Sequence, residues 1–122
     1  MEGSNVVDNV KEYMYNNYEK ELSLTYISEM FHINTSYFSK KFKEETGRNF
    51  IEYLTDIRLR EAKRLLASTG LTIAQVGEHT GYREPKYFSR IFMKYTGMTP
   101  SSYREEKGIN SNETKKNQVR NL

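Results

Sequence analysis

From Val6 onward the apolar positions Val6, Val7, Val10, Tyr13, Met14 and Tyr18 recur at short helical intervals. That period predicts a helix over about residues 5–18 with one face buried. Leu24, Ile27, Met30 and Phe31 mark a short second helix behind Ser23, whose hydroxyl suits a cap. Asn34 suits the cap of a third helix, in which Phe38, Lys41, Phe42 and Glu45 share one side and Gly47 falls just past the end. The run from Asn49 to Glu52, NFIE, is a capping box in outline. It opens the longest periodic stretch: Ile51, Leu54, Ile57, Leu59, Ala62, Leu65 and Leu66. This helix is expected to reach about Ser68 and to stop at Gly70. At ~1.5 Å per residue it makes a rod of roughly 25–30 Å.

The plan then repeats. Ile73, Val76 and His79 mark a short helix, and Glu84-Pro85 starts a longer one, with proline in the first turn where its missing N–H costs nothing. Phe88, Ile91, Phe92 and Tyr95 are read as its apolar face and Gly97 as its end. Thr99-Pro100 starts a last short helix carrying Tyr103. No strand pattern occurs, so the expected fold is all-α with about seven helices. Residues 1–5 read as a disordered start or a cloning remnant, and the polar stretch 108–122, with Lys115, Lys116 and Arg120, as a disordered tail.

The repetition is literal. Tyr37 to Gly47 reads YFSKKFKEETG and Tyr87 to Gly97 reads YFSRIFMKYTG. Tyr, Phe, Ser, Phe, Thr and Gly are identical in the two. An offset of 50 also pairs Asn34 with Glu84 as cap, and Tyr53 with Tyr103. Upstream an offset of 49 pairs Leu24 with Ile73, Ile27 with Val76 and Ser28 with Gly77, so the second copy has one more residue in its turn. Each copy is a short helix, a tight turn and a longer helix, the order of a helix-turn-helix. Ser28 and Gly77 fall midway along each first helix, where a close approach demands little bulk, and Gly81 suits a turn position with positive φ.

The outward faces of the longer helices carry the candidate chemistry. Ser36, Ser39, Lys40 and Lys43 sit at i, i+3, i+4 and i+7, and Lys86, Ser89, Arg90 and Lys94 follow nearly the same spacing. Short polar and basic side chains outward, with apolar ones inward, are what a recognition helix needs in a major groove. Either helix alone would pass for an ordinary amphipathic helix with solvated lysines; two in matching frames favour the groove.

Charge supports that picture. Residues 1–33 hold two basic and six acidic side chains, a net of −4, while residues 34–122 hold seventeen and ten, a net of +7. A basic later part suits an anionic partner. Composition narrows the rest: at 122 residues the chain is one domain or two small lobes, only 36% hydrophobic, with ten tyrosines and six phenylalanines for an aromatic core. With no cysteine there is no disulfide, thiolate site or thiol nucleophile, and His32 and His79 lie far apart for zinc. No apolar run nears the ~18 residues of a membrane span and no signal-peptide pattern appears, so a cytoplasmic setting and no membrane partner are expected. No acid–base pair, phosphate-cradling glycine loop or nucleophile set stands out, so no enzyme and no cofactor is expected. A stacked protein-interaction array would need about three repeats, and here there are two.

These residues resemble the AraC/XylS transcription regulators over about residues 6–106. The match runs through YL at Tyr53-Leu54 and RLREAKRLL from Arg58 to Leu66. It continues through GY at Gly81-Tyr82, YFSRIF at 87–92, TGMTP at 96–100 and YR at Tyr103-Arg104. The variant with KYFSRIF and EYL is similar to C-terminal DNA-binding domains of two-component response regulators. The resemblance implies a first helix-turn-helix subdomain at 6–50, a linking helix at 51–69 and a second subdomain at 70–107. The second helix of each would enter one of two successive major grooves of double-stranded DNA, about 34 Å apart. By motif position the groove-facing residues are Thr35, Ser36, Ser39, Lys40 and Lys43, then Pro85, Lys86, Ser89 and Arg90. Lys40 and Arg90 are the expected base readers; Lys43, Lys94 and the helix-start N–H groups are expected on phosphates. RNA polymerase and an upstream receiver or ligand-sensing domain are implied as further partners, with dimerisation residing upstream and this fragment monomeric. Gly77 and Ser28 stand where the family has alanine, and Met93 where lysine is common. Phe38, Phe42, Phe88 and Phe92 are expected in the core, Tyr37 and Tyr87 packed on a neighbouring helix, and Arg58 paired with an acidic neighbour.

Overall fold

The structure is a computed structural model and describes residues 5–108. Seven helices and their connections make up this span, with no strand among the described residues. They form two packed units that meet between Arg58 and Leu59, inside one continuous helix.

The first unit contains α1 (Val6–Asn17), α2 (Leu24–Met30), α3 (Thr35–Thr46) and the first half of α4 (Phe50–Ser68). Val7, Val10 and Met14 of α1 are buried with Ile27, Phe38, Phe42, Phe50, Leu54 and Ile57. Caps set where each helix begins. Asn5 accepts from the Val7 N–H at 2.7 Å, so it is an ordered N-cap and not part of a loose start. Ser23 and Asn34 accept from the N–H groups of Tyr26 and Tyr37. Asn49 and Glu52 exchange side-chain-to-backbone bonds at 2.8 and 3.1 Å, the predicted capping box. That box fixes the frame of α4. Phe50, Leu54 and Ile57, at i, i+4 and i+7, turn inward, whereas Ile51 is 56% exposed and not in the core as the periodicity suggested.

The second unit holds the rest of α4, α5 (Ile73–His79), α6 (Pro85–Thr96) and α7 (Pro100–Lys107). Leu59, Ala62, Leu65 and Leu66 pack with Val76, Tyr82, Phe88 and Phe92. Thr72 caps α5 through a reciprocal box with Gln75, which the apolar pattern alone did not mark. Glu84 occupies the N-cap position of α6 but its side chain makes no cap hydrogen bond, contrary to its pairing with Asn34. Glutamate is outside the short Ser/Thr/Asp/Asn set whose oxygen reaches the N2 or N3 amide. Tyr95 is 48% exposed, so the apolar face of α6 ends at Phe92. Gly108, expected in the loose tail, is the buried C-cap residue of α7. The rest of the expected tail and start, residues 109–122 and 1–4, lies outside the described residues.

The repeated letters have repeated physics. Gly47 and Gly97 end α3 and α6 with φ of +80° and +78°, each amide donating to the carbonyl four residues back at 2.8 Å. The Thr46 hydroxyl lies 2.8 Å from the Phe42 carbonyl and accepts from the Arg48 N–H. Thr96 does the same with Phe92 and Met98. Phe42 meets Tyr53 edge-on at 5.2 Å, and Phe92 meets Tyr103 at 5.6 Å. Behind the short helices Ile33 donates to Ser28 and Tyr82 to Gly77. The turn residue Gly81 has the expected positive φ, +104°, and its counterpart His32 adopts +57° as the one non-glycine of that kind among the described residues.

Gly77 carries the closest approach. A Cβ there would lie 3.0 Å from Cγ of the fully buried Phe88. Alanine therefore requires the ring to give slightly, and a branched side chain requires more than the packed site can supply. Gly77→Val is expected to lower stability by ~1–3 kcal/mol; a urea transition at the wild-type midpoint would show the site to be slack.

Candidate nucleic-acid interface

In both units a pair of fully buried phenylalanines sets the rotation of the longer helix. The rings of Phe38 and Phe42 lie tilted with centroids 5.5 Å apart on α3, and those of Phe88 and Phe92 meet edge-on at 5.9 Å on α6. With ~3.6 residues per turn, burying positions i and i+4 dictates which residues point away. On α3 those are Ser36, Lys40, Lys43 and Glu44, all exposed, with Ser39 and Thr35 half-buried beside them. On α6 they are Lys86, Arg90, Met93 and Lys94, all exposed, with Ser89 half-buried; Pro85, three residues before Phe88, lies toward the phenylalanine side and is exposed at the start of the helix. Apart from Thr35 and Pro85, which open their helices on the phenylalanine side, every residue that the sequence nominated stands on the outward side of its own helix or at its flank.

Neighbouring charges sort themselves. Lys41 pairs with Glu45 at 3.0 Å, and Asn5 donates to the same carboxylate at 2.9 Å. The Lys41 bond, then the Asn5 bond, holds the Glu45 carboxyl below its usual range, and Glu45 in turn raises Lys41. This tie fastens the start of α1 to the last turn of α3, leaving Lys40 and Lys43 pointing outward. On α6 the Lys94 ammonium lies 5.7 Å over the Tyr95 ring. Arg58, expected beside an acidic partner, donates to the carbonyls of Tyr18 and Lys20 at 2.8 and 2.7 Å and so holds the chain just after α1. Arg104 does likewise for Leu66 and Thr69 at the end of α4.

Tyr37 and Tyr87 differ from expectation. They are 56% and 48% exposed, one residue off the inward stripe. Tyr87 rests its ring 5.9 Å from Tyr82 but keeps half its surface in water.

The comparisons agree with this fold. A helix-turn-helix domain family matches residues 27–106, from within α2 to near the end of α7. The transcriptional regulatory protein YesN of Bacillus subtilis is 40% identical over 82 residues, covering 66% of this chain and 22% of that protein. The solved C-terminal domain of AraT, a response regulator from Geobacillus stearothermophilus, superposes with a TM-score of 0.85 at 34% identity. That match covers 87% of this chain and 88% of the other. The DNA-binding domain of AdpA, solved with a target DNA, shares the fold with a TM-score of 0.80 at 20% identity, over 84% of this chain and 93% of that one. The chain belongs to the AraC-type helix-turn-helix family of DNA-binding domains. It spans well under half the length of the curated relatives it matches.

The Glu45 tie has a pH signature. A carboxyl whose folded-state pKa is lowered adds stability above its ordinary pKa and loses it as pH falls through the lowered value. The difference in melting midpoint between wild type and Glu45→Gln should therefore be present near about pH 7 and shrink toward zero near about pH 3. A difference that persists in acid would assign it to packing instead of charge.

Proposed function

We propose that the chain is the sequence-specific, double-stranded DNA-binding domain of a longer bacterial transcription regulator of the response-regulator type, acting in the cytoplasm. One helix-turn-helix subdomain spans 6–50, a linking helix 51–69 and a second subdomain 70–107. Helices α3 and α6 read two successive major grooves. The observation that carries this reading is the pair of outward polar and basic rows, each held in frame by two buried phenylalanines. In each row a basic side chain follows a serine or lysine by four residues, so it can reach base edges while its neighbours reach phosphate.

Roles follow from position. Lys40 and Arg90, at the centre of each row, read bases, with Ser36, Ser39, Lys86 and Ser89 beside them. Lys43 and Lys94 hold phosphate. Thr35 and Pro85 open their helices, where backbone N–H groups face the strand. In the longer protein an upstream receiver or ligand-sensing domain supplies the signal and the dimer contact, RNA polymerase is the downstream partner, and this domain alone is monomeric.

Selection of bound duplexes from a random pool tests the reading. Two short enriched blocks about one helical turn apart are expected; one block would reduce the other unit to a backbone clamp, and none would remove sequence-specific binding. Arg90→Ala should relax preference at one base position and weaken binding by ~1–3 kcal/mol. Lys94→Ala should weaken binding to all sequences about equally and lower the salt slope by ~0.9. Identical behaviour of the two variants in a salt series would sink that division of roles.

A further inference from the structure

The two outward rows occupy the same frame but do not carry the same charge. On α3 the central row, at i, i+4 and i+8, is Ser36, Lys40 and Glu44. The corresponding residues on α6, 50 positions later, are Lys86, Arg90 and Lys94. All six are exposed. The central row of α3 thus sums to zero, that of α6 to +3. Beside the rows, Lys43 on α3 corresponds to Met93 on α6, which is 44% exposed. Counting these flanks, α3 offers +1 and α6 still +3. Other charges close by do not even the balance. Lys41 is committed to Glu45. Arg48, just beyond α3, pairs with Asp56 at 3.4 Å. Arg83 and Glu84, just before α6, carry opposite charges.

Glu44 is the position at which the difference is largest, because its counterpart is Lys94. It stands in the last part of α3, one turn beyond Lys40 on the same row. A recognition helix lying in a groove contacts base edges with its N-terminal residues, and its later turns run out toward the phosphates. A carboxylate there meets the backbone with like charge, and it lies where the C-terminal end of the helix already carries partial negative charge. Lys94 at the matching place on α6 meets the same backbone with opposite charge.

Resting on the two-groove reading, we infer that the units divide the work unequally: α6 is the electrostatic anchor, and Glu44 weakens the hold of α3 on the backbone so that α3 docks only where its own base contacts are satisfied. Glu44 is a specificity-determining residue of this interface. It acts by subtraction, lowering the sequence-independent share of binding in the first unit.

The test uses the chain with the duplex obtained by selection, and with two variants of that duplex in which either block is scrambled. Binding of wild type, Glu44→Lys, Glu44→Ala and Lys94→Glu is followed by fluorescence anisotropy across a salt series, with circular dichroism melts to confirm folding at these exposed sites. Lys40→Ala identifies which block belongs to α3. Glu44→Lys should bind every duplex more tightly, including the one lacking the α3 block, with the salt slope steeper by about 0.9. Lys94→Glu should bind all of them more weakly, with a shallower slope. Glu44→Ala should fall between wild type and Glu44→Lys.

Three results overturn the inference. If both Glu44 variants bind as wild type while Lys94→Glu weakens binding, Glu44 does not face the backbone, and the two-groove reading stands without it. If Glu44→Ala loses affinity for the selected duplex, the carboxylate accepts a hydrogen bond from a base, and its role is attractive. If wild type enriches no duplex at all, the two-groove reading falls and takes the inference with it.

Discussion

The rotation of two helices about their own axes is the constraint on which everything else rests. A helix has no preferred outward side until something fixes its inward one, and here two fully buried phenylalanines a turn apart do so in each unit. Burying a phenylalanine takes a large apolar surface out of water, and its truncation in a packed core typically costs ~3–5 kcal/mol. No surface lysine contributes on that scale. The positions of Lys40 and Arg90 in space are therefore consequences of Phe38, Phe42, Phe88 and Phe92, which have no part in DNA chemistry themselves.

This explains how the repeat divides. Letters that agree between the copies are largely those that build the frame: the two phenylalanines, the threonine that ties the last turn to the following strand of chain, and the glycine whose positive φ ends the helix. Letters that differ, Lys40 against Arg90, Lys43 against Met93 and Glu44 against Lys94, lie on the outside. A frame must be the same wherever the same fold is needed. A reading surface must differ wherever a different stretch of sequence is read.

Most of the fold was legible because its signals are local. Ser23, Asn34 and Asn49 cap the helices they precede, and Gly47, Gly81 and Gly97 sit at positive φ where the turns require it. The Asn34–Glu84 pairing failed where alignment stood in for chemistry: the position is shared, but the glutamate side chain does not make the cap bond. Periodicity misplaced Ile51 and Tyr95 because an apolar letter at helical spacing says nothing about whether a neighbour covers it. The exposure of Tyr37 and Tyr87 and the carbonyl ties of Arg58 and Arg104 were illegible for a related reason. Each depends on partners or surroundings that only the folded chain supplies. The outward placement of Lys40, Lys43, Lys86, Arg90 and Lys94 was legible, since a residue on the far side of a helix from two phenylalanines needs no tertiary information to be placed.

The same ties clarify what the basic later part of the chain means. Its net charge of +7 counts every cation alike, yet many are engaged within their own units. Lys41 binds Glu45, Arg48 binds Asp56, Arg64 binds Glu61, and Arg58 and Arg104 hold helix-end carbonyls. A cation paired with a carboxylate contributes little field at a distance, because the two charges form a dipole that salt screens within about 8–10 Å. Among the described residues, Lys40 and Lys43 on α3, and Lys86, Arg90 and Lys94 on α6, stand exposed in outward rows. Internal pairing thus takes several cations out of the attraction for a polyanion and leaves these two rows prominent in what is left. A domain that must find one short sequence among many needs its field where the base edges are read, and spreading the same charge evenly would strengthen the hold on every other stretch of backbone as well.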